Sequence, residues 1–261
     1  MSEPSFTTIT YEVGGDGVAT ITLDRADKLN SFNQPMLDEF VDVWRQIRLD
    51  DAVRAVVLQA NGDRAFCTGV DVVEAYDFPD NVWSQIDPGE SLSPKANQVW
   101  KPVIVACHGM TAGGAFYWLN EADIIICAEG TTFFDPHVTY GLTAALEPIG
   151  LLRRINLGDT IRIALLGLDE RMSAERALQI GLVTEIVAPD RLRDRAHELA
   201  AKIAAKPAAA VQGTVRAIWE SLDMTRSIAL RNGLSYTHIG NPLGSAEIDR
   251  ASMTRPDPEI R

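Results

Sequence analysis

Two short segments of this chain hold the residue types that can stabilise a developing negative charge. The first is His108-Gly109-Met110-Thr111-Ala112-Gly113-Gly114-Ala115. It follows an apolar run, residues 102–107, that reads as a buried strand, and precedes Phe116 to Asn120, which reads as a buried helix opening. A strand, a small-residue turn and a helix start leave backbone N–H groups unpaired at the positive end of the helix. Such a turn can hold a phosphate, or an oxyanion that forms during a reaction. The second segment is Ala65-Phe66-Cys67-Thr68-Gly69-Val70-Asp71. Alone it reads as a plain strand-to-helix turn. As one of a pair about 44 residues apart in one sheet system, it favours a shared site with two N–H donors.

The surrounding elements have the spacing needed to position these segments. Val18 to Leu23 alternates and is β-branched, as a strand requires. Gln34 to Leu49 repeats apolar residues at helical spacing, with Pro35 in the first turn and Ser31 or Asn33 as cap. Val53 to Leu58 is a second strand, so the three form a βαβ unit. Residues 102–107 and Ile124 to Cys127 repeat the pattern around the glycine turn, and Thr131 to Phe134 adds a short strand. Asp77 to Pro94, rich in Pro, Asp, Ser and Gly, reads as a surface loop. From Ile149 the chain turns helical, with a helix capped by Ser173, a stop at Gly181 and a late strand from Leu182 to Val187. Helices are expected over 190–205 and 207–222, and Asn241-Pro242-Leu243-Gly244 is expected to interrupt any helix in the tail. No fixed-period repeat is visible.

Composition narrows the function. The 261 residues are 46% hydrophobic, enough for a substantial core. No run reaches the ~18 apolar residues of a membrane span, and residues 1–5 lack signal-peptide character. A cytoplasmic protein is expected. A formal charge of −12 argues against nucleic acid or an anionic membrane as partner. Cys67, Cys107 and Cys127 show no CxxC spacing and read as core residues. His108, His137, His197 and His238 make no metal motif; His108 reads as holding its turn, His197 and His238 as helix-surface residues. Asp123 reads as structural, and Trp83 as a wall of an acyl pocket or part of a lid.

Leu29-Asn30-Ser31-Phe32, the two small-residue segments and Ala177-Leu178-Gln179-Ile180-Gly181-Leu182-Val183 stand in the order seen in the crotonase, or enoyl-CoA hydratase/isomerase, superfamily. The resemblance spans about residues 6 to 220. It implies an α/β fold: a spiral of ββα units over 1–200 and a C-terminal helical trimerisation region over 201–261. It implies an acyl-CoA substrate, no cofactor beyond the coenzyme A of that substrate, a homotrimer or dimer of trimers, and a place in acyl-CoA or fatty acid metabolism. By position, the thioester oxygen accepts from the N–H groups of Val70 and Gly114, while Lys28, Thr68, Val70, Asp71 and Val72 contact coenzyme A.

The resemblance breaks where the family's hydratases carry two glutamates. Tyr117 stands in the first position, and His137, after Pro136, in the second. Tyrosine is a neutral donor near pH 7, whereas histidine can act as base or acid. Glu147, in an apolar stretch before Pro148, is the nearest carboxylate; it is either a proton-transfer group or a helix-start residue. Asp135 lies two residues from His137, so an extended segment lets it orient the imidazole. These residues point to an acyl-CoA enzyme with His137 or Glu147 moving protons. A CoA-thioester hydrolase or C–C lyase is the second reading, and a silent acyl-CoA-binding member the third. The tail from Met224 lacks the family's usual closing pattern.

Overall fold

The computed structural model describes residues 6–74, 79–249, 251 and 257–260. The chain divides into two compact units, one ending at Ala204 and the other starting at Ala205.

The first unit is built on two sheets. β1 (Ile9–Val13), β2 (Val18–Leu23), β3 (Ala55–Ala60), β5 (Val103–Cys107), β7 (Ile124–Ala128) and β10 (Glu185–Val187) form one sheet in that order. β1 is antiparallel to β2, and every other pair is parallel. A second, smaller sheet orders β4 (Ala65–Cys67), β6 (Met110–Ala112), β8 (Thr132–Phe134) and β9 (Met172–Ser173). The chain therefore alternates. A strand in the first sheet is followed by one in the second and then by a helix, as in β5, β6 and α3 (Phe116–Glu121), or β7, β8 and α4 (Leu146–Leu151). This is the expected spiral of ββα units.

The period-2 alternation of each buried strand supplies both faces of the first sheet. Val103, Val105 and Cys107 face a core that includes Met36, Phe40 and Trp44 of α1 (Gln34–Leu49). Ile104 and Ala106 face the opposite way, against Ala196 and Ala200 of α7 (Leu192–Ala204). Asn33, not Ser31, caps α1 by accepting the Met36 N–H, and Ser173 caps α6 (Ala174–Gln179) as expected. All three cysteines are buried and free. Asp123 is structural: its carboxylate accepts the Val103 N–H and pairs with Lys95 at 2.7 Å.

Several elements differ from expectation. The strand expected at 53–58 sits two residues later, as β3. β4 and β6 are strands where the small residues suggested only turns, because a parallel neighbour completes their hydrogen bonds. The expected loop over 77–94 contains α2 (Gly89–Leu92), whose Leu92 is buried and whose carbonyl accepts Trp44 Nε1–H. Its residues 77 and 78 lie outside the described residues. Between α4 and β9 runs α5 (Leu157–Leu166).

The second unit holds α8 (Ala208–Ser221) and α9 (Arg226–Ala246). α9 runs through Pro242, so the expected interruption is absent. Close helix packing accounts for this. Gly240 and Gly244 are buried, and a Cβ on either would sit 3.3 Å from the Ala209 carbonyl oxygen or 3.1 Å from the Ala210 Cβ. The two small residues flanking Pro242 bring α9 against α8, and contacts along the helix outweigh the one hydrogen bond a proline removes. Among the described residues no helix is long and apolar enough to cross a membrane.

Candidate active site

Val70 and Gly114 are brought together by the second sheet. β4 leads to Gly69, whose φ of +93° suits only glycine without strain. Phe32 then clamps the next residue: its N–H donates to the Gly69 carbonyl at 2.9 Å, and its carbonyl accepts the Asp71 N–H at 2.8 Å. A parallel bridge of this kind leaves the N–H of the residue between, Val70, on the side away from Phe32. β6 leads directly into a 3₁₀ turn, Gly113–Ala115, that carries Gly114. The segments touch: a Cβ on Gly69 would lie 3.1 Å from the Gly114 nitrogen. A Cβ on Gly114 would overlap the Phe32 ring, 2.8 Å from its Cζ. Phe32 in turn packs edge-on against Trp118 of α3. The expected helix dipole at Gly114 is the one feature that differs. The helix starts at Phe116 and has six residues, too short to bring a full macrodipole to Gly114.

The proton-moving candidates converge from β8 and α4. Asp135 follows β8 and is 1% exposed. Its Oδ1 accepts the His137 N–H at 3.0 Å and sits 2.6 Å from His137 Nδ1. Its Oδ2 is buried with no hydrogen-bond partner. With Nδ1 engaged, His137 presents Nε2, which lies 3.8 Å from Glu147 Oε1. The hydrogen bond to Asp135 holds the His137 imidazolium above the usual histidine range, against the effect of burial. Burial raises the Glu147 carboxyl, its own backbone N–H and His137 pull it down, and the charges of Asp135 and Asp87 add to the rise. Asn120 fixes the start of α4 by donating Nδ2–H to the Glu147 carbonyl at 2.9 Å. Tyr117 is buried, and its ring leaves no room for a side chain on Gly89, where a Cβ would come within 2.5 Å of Cδ1.

Two cavities meet at this point. The larger, about 800 Å³, is lined by Lys28, Arg64, Thr68, Asp71 and Val72 among others. The smaller, about 450 Å³, is lined by Phe32, Asp87, Tyr117, Leu146 and Glu147 among others. Val70, Gly114 and His137 border both. The nine residues singled out from the sequence therefore lie on one cavity or the other. Asp71 contributes shape more than a free charge. Arg25 pairs with it at 2.9 Å, and its Oδ1 accepts the Val73 and Glu74 N–H groups. Despite burial, these contacts hold the Asp71 carboxyl below its usual range. Trp83 is 92% exposed and lines neither cavity.

Arg25, Arg64, Asp87 and Asn120 were not legible as site residues. Each sits in a loop or helix whose local pattern carries no chemical signature, and only the spiral brings Arg64 and Asp87 to the cavities, Arg25 to Asp71 and Asn120 to the Glu147 carbonyl. Asp135, His137 and Glu147 offer ligand atoms within 4.8 Å of one another, the one such group among the described residues. Asp135 already occupies Nδ1, so Nε2 and Glu147 would be two ligands where a tetrahedral site uses three or four.

A sequence model of the enoyl-CoA hydratase/isomerase family matches residues 14–237. The (E)-benzylidenesuccinyl-CoA hydratase of Thauera aromatica is 30% identical over 232 residues, covering 88% of each chain. The 1,2-epoxyphenylacetyl-CoA isomerase of Escherichia coli is 32% identical over 200 residues, covering 73% of this chain and 74% of that protein. An enoyl-CoA hydratase/isomerase from Mycobacterium paratuberculosis, of solved structure, superposes with a TM-score of 0.84 at 38% identity, over 90% of this chain and 91% of that one. The spiral fold, the paired small-residue segments and these likenesses agree, and the chain belongs to the enoyl-CoA hydratase/isomerase family, the crotonase superfamily.

Proposed function

We propose that the protein converts an acyl-CoA thioester through an enolate. The N–H groups of Val70 and Gly114 stabilise the thioester oxygen, and His137 and Glu147 move the protons. The observation that carries this reading is the shared border: both N–H segments and His137 line both cavities. The larger cavity, with Lys28 and Arg64, suits the anionic coenzyme A; the smaller suits the acyl group. Each preorganised donor contributes about 3 kcal/mol to an oxyanion-forming transition state in comparable sites. No separate cofactor is required, and a homotrimer or dimer of trimers is the proposed assembly.

For an enoyl-CoA the steps balance as hydration. Neutral His137 takes a proton from water at Nε2 while Asp135 accepts from Nδ1–H. The hydroxide adds to the β carbon, and the electron pair of the double bond moves to the thioester oxygen. Glu147 in its protonated form, which burial favours, then donates to the α carbon, and the proton held by His137 returns to Glu147 across 3.8 Å. This uses an imidazole and a carboxylic acid where relatives with the family's hydratase pattern use two glutamates. A hydrolytic reading rests on the Asp135–His137 pair, which can also aim water at a carbonyl carbon.

Crotonyl-CoA and longer enoyl-CoAs assayed with wild type, His137→Ala and Glu147→Ala test the assignment. The expected result is a fall in kcat of roughly 100-fold or more for His137→Ala, the usual worth of a positioned acid or base. Normal turnover in both variants would sink these roles. Release of free CoA thiol instead of a hydroxyacyl thioester would select the hydrolytic reading. Tight binding with no product across a thioester panel would mark a silent binder.

A further inference from the structure

The two cavities differ in charge. Lys28 and Arg64 line the larger one beside Asp27 and Asp71, and Asp71 is already paired with Arg25. Among the described residues no lysine or arginine lines the smaller one, which instead carries Asp87 and Glu147. The one group there able to become positive is His137, and its Nδ1 is already held by buried Asp135 at 2.6 Å. Asp135 and Glu147 thus flank one imidazole, and Asp87 lines the same cavity. Asp87 acts on this cluster across space, since its charge helps raise the Glu147 carboxyl. Asp87 is also fixed in place: its Oδ1 accepts the Gly89 N–H at 2.9 Å at the start of α2.

We infer that the smaller cavity selects uncharged acyl groups and rejects those with a terminal carboxylate, and that Asp87 is the specificity-determining residue. This rests on the reading that the larger cavity takes coenzyme A and the smaller takes the acyl group. A second carboxylate entering the smaller cavity would lose its water and meet Asp87 and Glu147 with no lysine or arginine among the described lining residues to pair with, an arrangement in which like charges are strongly unfavourable. A neutral acyl group would meet Phe32, Tyr117, Ile86 and Leu146 instead.

Two unreactive thioethers of equal chain length, S-hexyl-CoA and S-(5-carboxypentyl)-CoA, test this by titration calorimetry on the full chain. Wild type is expected to bind the hexyl compound on the order of tenfold more tightly. Asp87→Asn keeps the acceptor for the Gly89 N–H and removes the charge, so the ratio is expected to shrink at least threefold. Equal affinities in wild type would overturn the inference while leaving the coenzyme A reading intact. So would an unchanged ratio in Asp87→Asn. Failure of both thioethers to bind would overturn the coenzyme A reading itself, and the inference with it.

Discussion

A carboxyl and an imidazole 3.8 Å apart in a half-closed cavity set opposite demands on stability and chemistry. Burial raises the Glu147 carboxyl, so the folded state favours its protonated form more than the unfolded chain does. The sign follows directly. The folded protein binds the extra proton, so stability falls as pH climbs from the ordinary carboxylate range through the raised Glu147 value, and the penalty is complete above it. Glu147→Gln removes that penalty. The variant is expected to match wild type near pH 4 and to melt about 3 °C higher at pH 8 in thermal denaturation. Activity should fall in the same variant, the usual exchange between a strained site and a stable one. An equal Tm at both pH values would show that the Glu147 carboxylate is fully compensated. His137 carries the same sign for a different reason. Its raised value, owed first to Asp135, adds stability that is present at low pH and is lost as pH rises through that value.

At the scale of elements, the loop after β4 and the turn after β6 are held from outside the site. Arg25 reaches across from the end of β2 to pair with Asp71 at 2.9 Å and Glu74 at 2.7 Å, and also donates to the Ser31 carbonyl at 2.5 Å. Its side chain and that of Asp71 are 10% and 5% exposed, so loss of either partner leaves a buried charge behind. Arg25→Ala is expected to cost about 3 kcal/mol in urea denaturation. It should also raise KM for CoA thioesters through Thr68 and Val72 and lower kcat, because the same loop carries the proposed Val70 donor. A variant with unchanged KM would separate this ion pair from the cavity. Phe32 is the matching support on the other side. It clamps Val70 by two backbone hydrogen bonds and closes on Gly114 by its ring, so one residue sets the spacing of both N–H segments.

At the scale of the molecule, apolar surface and charge tell different stories. The formal charge is −12, yet α8 has no buried residue and α9 buries only Gly240 and Gly244. Ile218, Leu222, Leu230, Leu234 and Leu243 are all exposed in the single chain. In α4 and α5 of the first unit, Ile149, Leu157, Ile161 and Leu165 are exposed as well. Exposed apolar residues in such number, on each unit taken by itself, support the proposed assembly. Light scattering is expected to give about three times the 28.5 kDa chain mass, or six times for a dimer of trimers. A monomer of 28.5 kDa would contradict the proposed assembly.

Local chemistry made much of this protein legible from its sequence. Two small-residue segments, each after an apolar run, favour close-approach turns at one shared site, so Gly69, Gly113 and Gly114 stood out. Period-2 and helical spacing identified the main strands and α1 for the same reason, since burial of one face repeats with the element's own geometry. The positions of Tyr117, His137 and Glu147 were readable as residue types in a family pattern. The tertiary structure decided what distance and packing control. It made strands of β4 and β6, because each needs a parallel neighbour far along the chain. It carried α9 through Pro242, because α8 lies against the glycines beside it. It also placed Asp87 beside Glu147 and left Nε2 of His137 as the free nitrogen, because a long-range fold alone sets which charges share a cavity.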